Sequence, residues 1–305
     1  VRTFLGVQSC DLTNPLPPAE VIILGAADAT PHTHNQSSHA ANGPSAIREA
    51  LRGYEGDLLR WDFDQGQPLL DLAQTSIFDA GDLRTNPNSP EQNRQTITDA
   101  IRLILANGSV PVLFGGDDSV PIPFFEAYRG SEEITIVQVD AHLDWRHERN
   151  GILHTFASTM RRASEMPWVK TIVQVGQRGI GGSGRDEYEH AINWGSKIFT
   201  AREVHRCGVG PVLQQIQPGA RCLITIDCDG LDPSVIPGVI VPQPGGLSYY
   251  DVVSLIEGVS AKATIVGLDI VELVPERDLN GFGALAAARI VCNAITAIAG
   301  KRQRS

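Results

Sequence analysis

The chain has 305 residues, a formal net charge of −10, and 42% hydrophobic against 20% charged residues. This is the composition of an ordinary globular protein able to bury a large core, not of a disordered chain, and the acidic balance argues against a nucleic-acid partner, whose phosphates require a basic face. Five scattered cysteines without CxxC spacing read as reduced thiols, and neither a signal peptide nor a membrane-spanning run is visible, so the expectation is a cytoplasmic protein without a membrane partner.

Residues 1–19 are polar and proline-rich toward Pro15-Leu16-Pro17-Pro18, and they read as an extended arm before the first strand, Val21 to Leu24. The loop after that strand carries His32, His34 and His39. Three histidines in so short a space could hold a metal, but without a periodic framework the plainer reading is a polar loop near the rim of a site. Gly43-Pro44-Ser45-Ala46-Ile47-Arg48 opens a helix, with proline in the first turn, where its missing N–H has no intrahelical partner to lose. Thr75 to Phe78 is a short strand, and the segment from Pro90 to Asn107 has apolar residues at roughly helical spacing before an Asn107-Gly108 stop. Strand-like runs follow at Val110 to Phe114, Ile134 to Val139, Thr171 to Val175, Lys197 to Thr200, Cys222 to Ile226 and Thr264 to Ile270, alternating with helical segments and ending in an alanine-rich helix, Ala284 to Ala299. Several of these runs are continuously apolar, as a parallel sheet covered on both faces requires. The prediction is one α/β domain over residues 1–305, a three-layer α/β/α fold with a mainly parallel sheet of about eight strands.

Ligands bind outside the carboxyl ends of strands in open α/β sheets, and the acidic clusters stand there. Asp117 and Asp118 follow Phe114-Gly115-Gly116, Asp140-Ala141-His142-Leu143-Asp144 follows another strand, Asp227-Cys228-Asp229 with Asp232 follows a third, and Glu272 lies just past a fourth. Residues i and i+2 of an extended segment point the same way, so Asp140, His142 and Asp144 can face one cavity, as can Asp227 and Asp229. So many carboxylates cannot all stay ionised together without cations between them, and two divalent ions are the simplest solution. The plain alternative for any one Asp-x-Asp is a strand-end turn.

Gly115-Gly116-Asp117-Asp118-Ser119, Asp140-Ala141-His142-Leu143-Asp144 and Thr225-Ile226-Asp227-Cys228-Asp229-Gly230-Leu231-Asp232-Pro233 resemble the three signatures of the ureohydrolase family, which includes arginases and agmatinases. The resemblance extends from the first strand through Gly43 to Arg48 and on to Val271-Glu272. It implies a three-layer α/β/α fold, a pair of divalent ions, usually Mn²⁺, and hydrolysis of a guanidino group with release of urea. Carried over, Asp140 and Asp227 would bridge both ions, His142 and Asp229 would complete one, and Asp144 and Asp118 the other. Asp118 is a departure, because the family pattern has histidine there. Five Asp and one His carry −5 against the +4 of two divalent ions, which should lower Lewis acidity and favour harder ions, with Ni²⁺ admitted where geometry and availability override that preference.

By the same resemblance Asp144 would handle the proton passed to the leaving amine, and Glu272 would pair with the planar guanidinium. His154 lies in the loop where the family carries a proton-shuttling histidine, although Leu153-His154-Thr155-Phe156 lacks the usual glycine after it; a structural histidine is the other reading. The segment Trp145-Arg146-His147-Glu148-Arg149-Asn150 stands in place of the arginase signature for an α-amino acid. Arg146 or Arg149 could bind a carboxylate or simply be solvated, and Trp145 could wall an alkylated guanidine or a biguanide such as metformin. The expected partner is therefore a small cationic guanidino substrate, agmatine included. Two other readings stand beside this one: a non-catalytic subunit of a heteromeric ureohydrolase, and an amidohydrolase of the related deacetylase class. Family members assemble as trimers or hexamers, and the same is expected here, with a paralogous subunit as a variant.

Overall fold

A computed structural model describes residues 2–302 apart from 31 and 34. In chain order it runs β1 (Gln8–Ser9), β2 (Val21–Ala26), α1 (Gly43–Ala50), a small hairpin of β3 (Trp61–Asp62) and β4 (Gln67–Pro68), β5 (Ile77–Asp82), α2 (Pro90–Ala106), β6 (Val110–Gly115), α3 (Pro121–Glu126) and β7 (Ile134–Val139). The second half continues with α4 (Thr159–Ser164), β8 (Val169–Gln177), α5 (Arg185–Trp194), β9 (Lys197–Thr200), α6 (Ala201–Cys207), α7 (Gly210–Gln214), β10 (Arg221–Asp227), α8 (Tyr249–Lys262), β11 (Thr264–Val271) and α9 (Phe282–Arg302).

The main sheet has nine strands in the order β1-β5-β2-β6-β11-β10-β7-β8-β9, and every neighbouring pair is parallel. Alternate strand residues feed two separate cores. Val21 and Ile23 of β2 pack with α1, α8 and α9 on one face, and Ile22 and Leu24 pack with α2 and α3 on the other. The strands are apolar throughout because both faces are covered, and the result is three layers.

The strand beyond the expected eight lies in the N-terminal arm. Gln8 and Ser9 pair with Phe78 and Asp79 of β5, and Phe4, Leu5 and Val7 are buried. Residues 1–19 are thus not simply an extended arm. Phe4 meets Phe114 edge to face, and its N–H donates to Asp79, so three apolar residues anchor an edge strand too short to show a sequence period.

Helix starts follow the local chemistry. Pro44 sits in the first turn of α1, and Ser248 caps α8 through a reciprocal pair with Asp251, each side chain accepting from the other's backbone N–H. Arg48 of α1 is buried and donates to Asp79 at 2.8 and 3.1 Å and to Asp82 at 2.5 Å, which ties the helix to β5. The stretch Phe282–Gly300 of α9 is, contrary to the sequence expectation, long and apolar enough to cross a membrane, but 72% of its apolar window is buried inside the protein. It is the core helix packed against α1 and α8.

Candidate metal centre

Four adjacent strands, β6, β11, β10 and β7, deliver the acidic residues. Their carboxyl ends open into a cavity of about 160 Å³ lined by Asp118, His142, Asp144, Asp227, Asp229 and Glu272. Asp140 lies fully buried beneath. Donor atoms of Asp140, His142 and Asp229 lie within 4.8 Å of one another, and so do those of Asp118, Asp140 and Asp144. Asp140 belongs to both triads. Asp227 lines the cavity outside either triad, and its Oδ1 accepts the Asp229 N–H at 2.7 Å.

The close approach of the two Asp-rich ends depends on Gly230, whose added Cβ would stand 2.7 Å from the Asp140 nitrogen. Asp144 and Glu272 both have left-handed backbone, with φ of 47° and 65°. Strain of this kind persists only where the surroundings enforce it. Here it turns each carboxylate back toward the cavity.

Backbone and amide donors orient the carboxylates. The His142 N–H donates to Asp140 at 2.5 Å and the Ala141 N–H to Asp229 at 3.1 Å. Gln138 Nε2 donates to Asp140 and Asp144 at 2.7 and 2.9 Å, and is fixed in turn by Gln174, which receives a bond from Ser196. Arg178 donates to the backbone oxygens of Asp229, Gly230 and Leu231. Such outer contacts fix ligand orientation as the ligands themselves cannot.

The electrostatics call for cations. Burial, reinforced by neighbouring carboxylates, pushes Asp118, Asp140 and Asp227 well above the usual carboxylate range. Burial works against charge on His142, but Asp229, 3.0 Å from its Nδ1, outweighs this and raises it to about 8. Asp118 Oδ2 is buried without any hydrogen-bond partner. An orphaned carboxylate oxygen, two overlapping donor triads and a set of oxygen ligands with one imidazole fit a pair of divalent ions.

Glu272 is held at both oxygens. Oε1 accepts the Asp118 N–H at 2.9 Å, and Oε2 lies 2.5 Å from His39 Nε2. Burial opposes a charged His39, but the bond and charge of Glu272 prevail and raise its pKa. His39 also meets Phe156 edge-on, with His32 on the same ring. The histidine loop therefore reaches the rim of the site through His39; His34 lies outside the described residues. The sequence placed His39 in a loop near the rim but not against Glu272, and it did not mark Gln138 at all. Gln138 did carry a signal, as a polar residue two positions before Asp140 and so on the same side of an otherwise largely apolar strand.

The structure separates other marked residues from the cavity. Asp117 and Asp232 cap local turns, the first accepting from Ser119 and the second from Ser234, Gly245 and Gly246. Trp145 is not a substrate wall: it is fully buried, bonded to His190 and packed against Trp194. Phe156, Ile180, Ile240 and Val241 supply the apolar surface instead, with Arg146 and Arg149 beside them. His154 lines a different hollow with Arg94 and Arg162, and burial with those two cations holds its pKa near 4.

Comparisons with known proteins bear on the fold and the family. The Arginase family model matches residues 19–297. The chain is similar to N(1)-aminopropylagmatine ureohydrolase of Thermus thermophilus, 34% identical over 259 residues covering 84% of this chain and 83% of the relative. It also resembles the mitochondrial guanidino acid hydrolase of Homo sapiens, 27% identical over 85% of this chain and 74% of that one. The crystal structure of proclavaminate amidino hydrolase from Streptomyces clavuligerus superposes with a TM-score of 0.84 at 24% identity, over 98% and 97% of the two chains, and shares the fold. The chain belongs to the arginase family of ureohydrolases.

Proposed function

We propose that this protein is a two-metal hydrolase that cleaves the guanidino C–N bond of a small guanidino acid, releasing urea and an amine. The observation that carries the reading is the cavity itself, with a carboxylate-rich floor from four adjacent strand ends and two guanidinium groups, Arg146 and Arg149, on its wall. Among the described residues that line it, the acidic ones are the candidate metal ligands and Glu272. A substrate with a second cationic end would find no other carboxylate among those lining residues, whereas a carboxylate tail would find an arginine. The name of the human relative, a guanidino acid hydrolase, points the same way.

Asp118, Asp140, His142, Asp144, Asp227 and Asp229 would hold two divalent ions, with Mn²⁺ the first candidate and Ni²⁺ the second. Bound there, such ions supply a hydroxide near neutral pH and Lewis acidity toward the guanidinium carbon. Glu272 orients the planar guanidinium through its carboxylate, and His39 keeps that carboxylate from rotating. Asp144, fixed by Gln138 at 2.9 Å, receives a proton at its carboxylate and passes it to the departing amine. His154 has no place in this sequence, because its side chain lines the other hollow.

A second reading is favoured by Asp118 alone. A carboxylate in place of the family's histidine suits a chain that contributes to a heteromeric enzyme without turning over by itself. Release of urea from guanidinoacetate, guanidinobutyrate and agmatine, and of guanylurea from an alkylated biguanide, tests both readings. The proposal expects the guanidino acids to be turned over with the highest kcat/KM. Preference for agmatine or for the biguanide would overturn the guanidino-acid assignment, and neither urea nor guanylurea from any of them would favour the subunit reading.

A further inference from the structure

Helices α2, α3 and α4 border a second cavity of about 490 Å³ that shares no lining residue with the acidic one. Its wall holds Arg94, Arg102, Arg129, Arg162 and His154 against Glu91, Glu126 and Glu165, a basic excess in a chain whose net charge is −10. The charges are sorted by depth. The Arg162 and Arg94 side chains are only 7% and 20% exposed, whereas their carboxylate partners Glu165 and Glu91 are 47% and 83% exposed. Solvent therefore screens the negative charges while the positive ones stand inside.

The inner cations are also under-bonded. Arg162 reaches Glu165 through Nη2 at 2.9 Å, with His147 Nδ1 3.4 Å from the same nitrogen, but its buried Nε has no acceptor. Arg94 gives one nitrogen to Thr30 at 2.8 Å and meets Glu91 only at 3.5 Å. Burial pulls both guanidiniums down from their usual range. A buried donor without an acceptor is costly, and an anion is the species that removes the cost at Arg94, Arg162 and His154 together. The Trp168 ring, with Arg129 stacked 4.7 Å from its centroid, forms an outer wall.

We propose that the inner end of this cleft, formed by Arg94, His154 and Arg162, is a binding site for a small oxyanion, either a carboxylate or a tetrahedral group such as sulfate or phosphate. Two guanidiniums offer paired N–H donors to the anion, and neutral His154 offers a further N–H without adding charge. A second hollow of about 350 Å³ shares Glu91, Arg94 and His154 with the first, so the anion can carry a substituent that extends past Pro90 and Leu153. The site also borders the metal centre: α4, which carries Arg162, donates Thr159 Oγ1–H to the Asp118 carbonyl and the Arg161 N–H to the Asp144 carbonyl.

Isothermal titration of the metal-loaded protein with sulfate and with acetate at low ionic strength tests the site, using Arg94→Gln, Arg162→Gln and Asp118→Asn. The site requires binding of at least one anion by the wild type, affinity lowered about tenfold or more in Arg94→Gln from the lost charge-assisted bonds, and little change in Asp118→Asn. Sulfate alone, acetate alone or both binding in this pattern identifies which oxyanion geometry fits. Arg162→Gln should behave like Arg94→Gln; should it fail to fold, the Arg94 variant decides. Absence of binding, undiminished affinity in Arg94→Gln, or loss in Asp118→Asn with retention in Arg94→Gln would overturn the proposal, the last by placing the anion at the metal centre.

Discussion

Replacing His39 with alanine probes how Glu272 is positioned. The bond from His39 Nε2 to Glu272 Oε2 is 2.5 Å long and ends on a carboxylate whose side chain is 5% exposed. Hydrogen bonds to charged groups contribute roughly 1.5–3 kcal/mol, so an effect on kcat/KM of about ten- to a hundredfold is expected. If Glu272 orients the guanidinium from the ground state onward, the loss appears mainly as a higher KM with kcat little changed. Glutamine places an amide donor near the same position, and His39→Gln should recover most of the loss. Steady-state urea release would be read beside metal content and melting temperature, both of which should stay close to wild type. An unchanged KM in a folded, metal-loaded His39→Ala protein, in a background where Glu272→Ala does raise KM, would refute the reasoning.

Arg146→Ala and Arg149→Ala should raise KM for guanidinobutyrate while leaving agmatine turnover unchanged or improved; equal effects on both substrates would remove the arginines from tail recognition. Arg48→Ala strands Asp79 without its buried partner, and a loss of about 3–5 kcal/mol is expected in urea denaturation, against less than about 1 kcal/mol for a solvated pair such as Arg60–Asp57. The folded metal-free protein holds protons on His142, raised to about 8, and on the upward-shifted Asp118, Asp140 and Asp227. Metal must displace these protons, so apparent metal affinity rises as pH increases through about 8, where His142 gives up its proton. The same upward shifts stabilise the metal-free fold below the ordinary pKa values and are lost as pH rises through the folded ones. Its melting temperature should therefore fall between pH 6 and 9 unless metal is present, and a flat profile would contradict the assigned shifts.

The clustering of the candidate metal ligands was legible because two simple rules coincide there. Apolar strands specify where the sheet lies, and i, i+2 alternation at their ends specifies which side chains share a cavity. The strand order then places β6, β11, β10 and β7 side by side, a fact of topology that no single motif contains. Alternation stops at Asp144, where the positive φ reverses the chain and sends Trp145 into the core beside α5. The loop that carries His39 was legible as a polar segment near the rim of a site, but not the role of His39, because the loop has no period and only tertiary packing brings it to a carboxylate far along the chain. His154 was marked by the family resemblance of its loop, but it lines the hollow between α2 and α4 with two arginines.

Metal analysis of protein purified without added metal tests the two-ion centre most directly. Asp118 Oδ2 has no other partner, and Asp140 belongs to two donor triads, so close to two divalent ions per chain are expected, with loss of the second in Asp118→Ala. Fewer than about half an ion per chain, with no gain on incubation with Mn²⁺ or Ni²⁺, would contradict it.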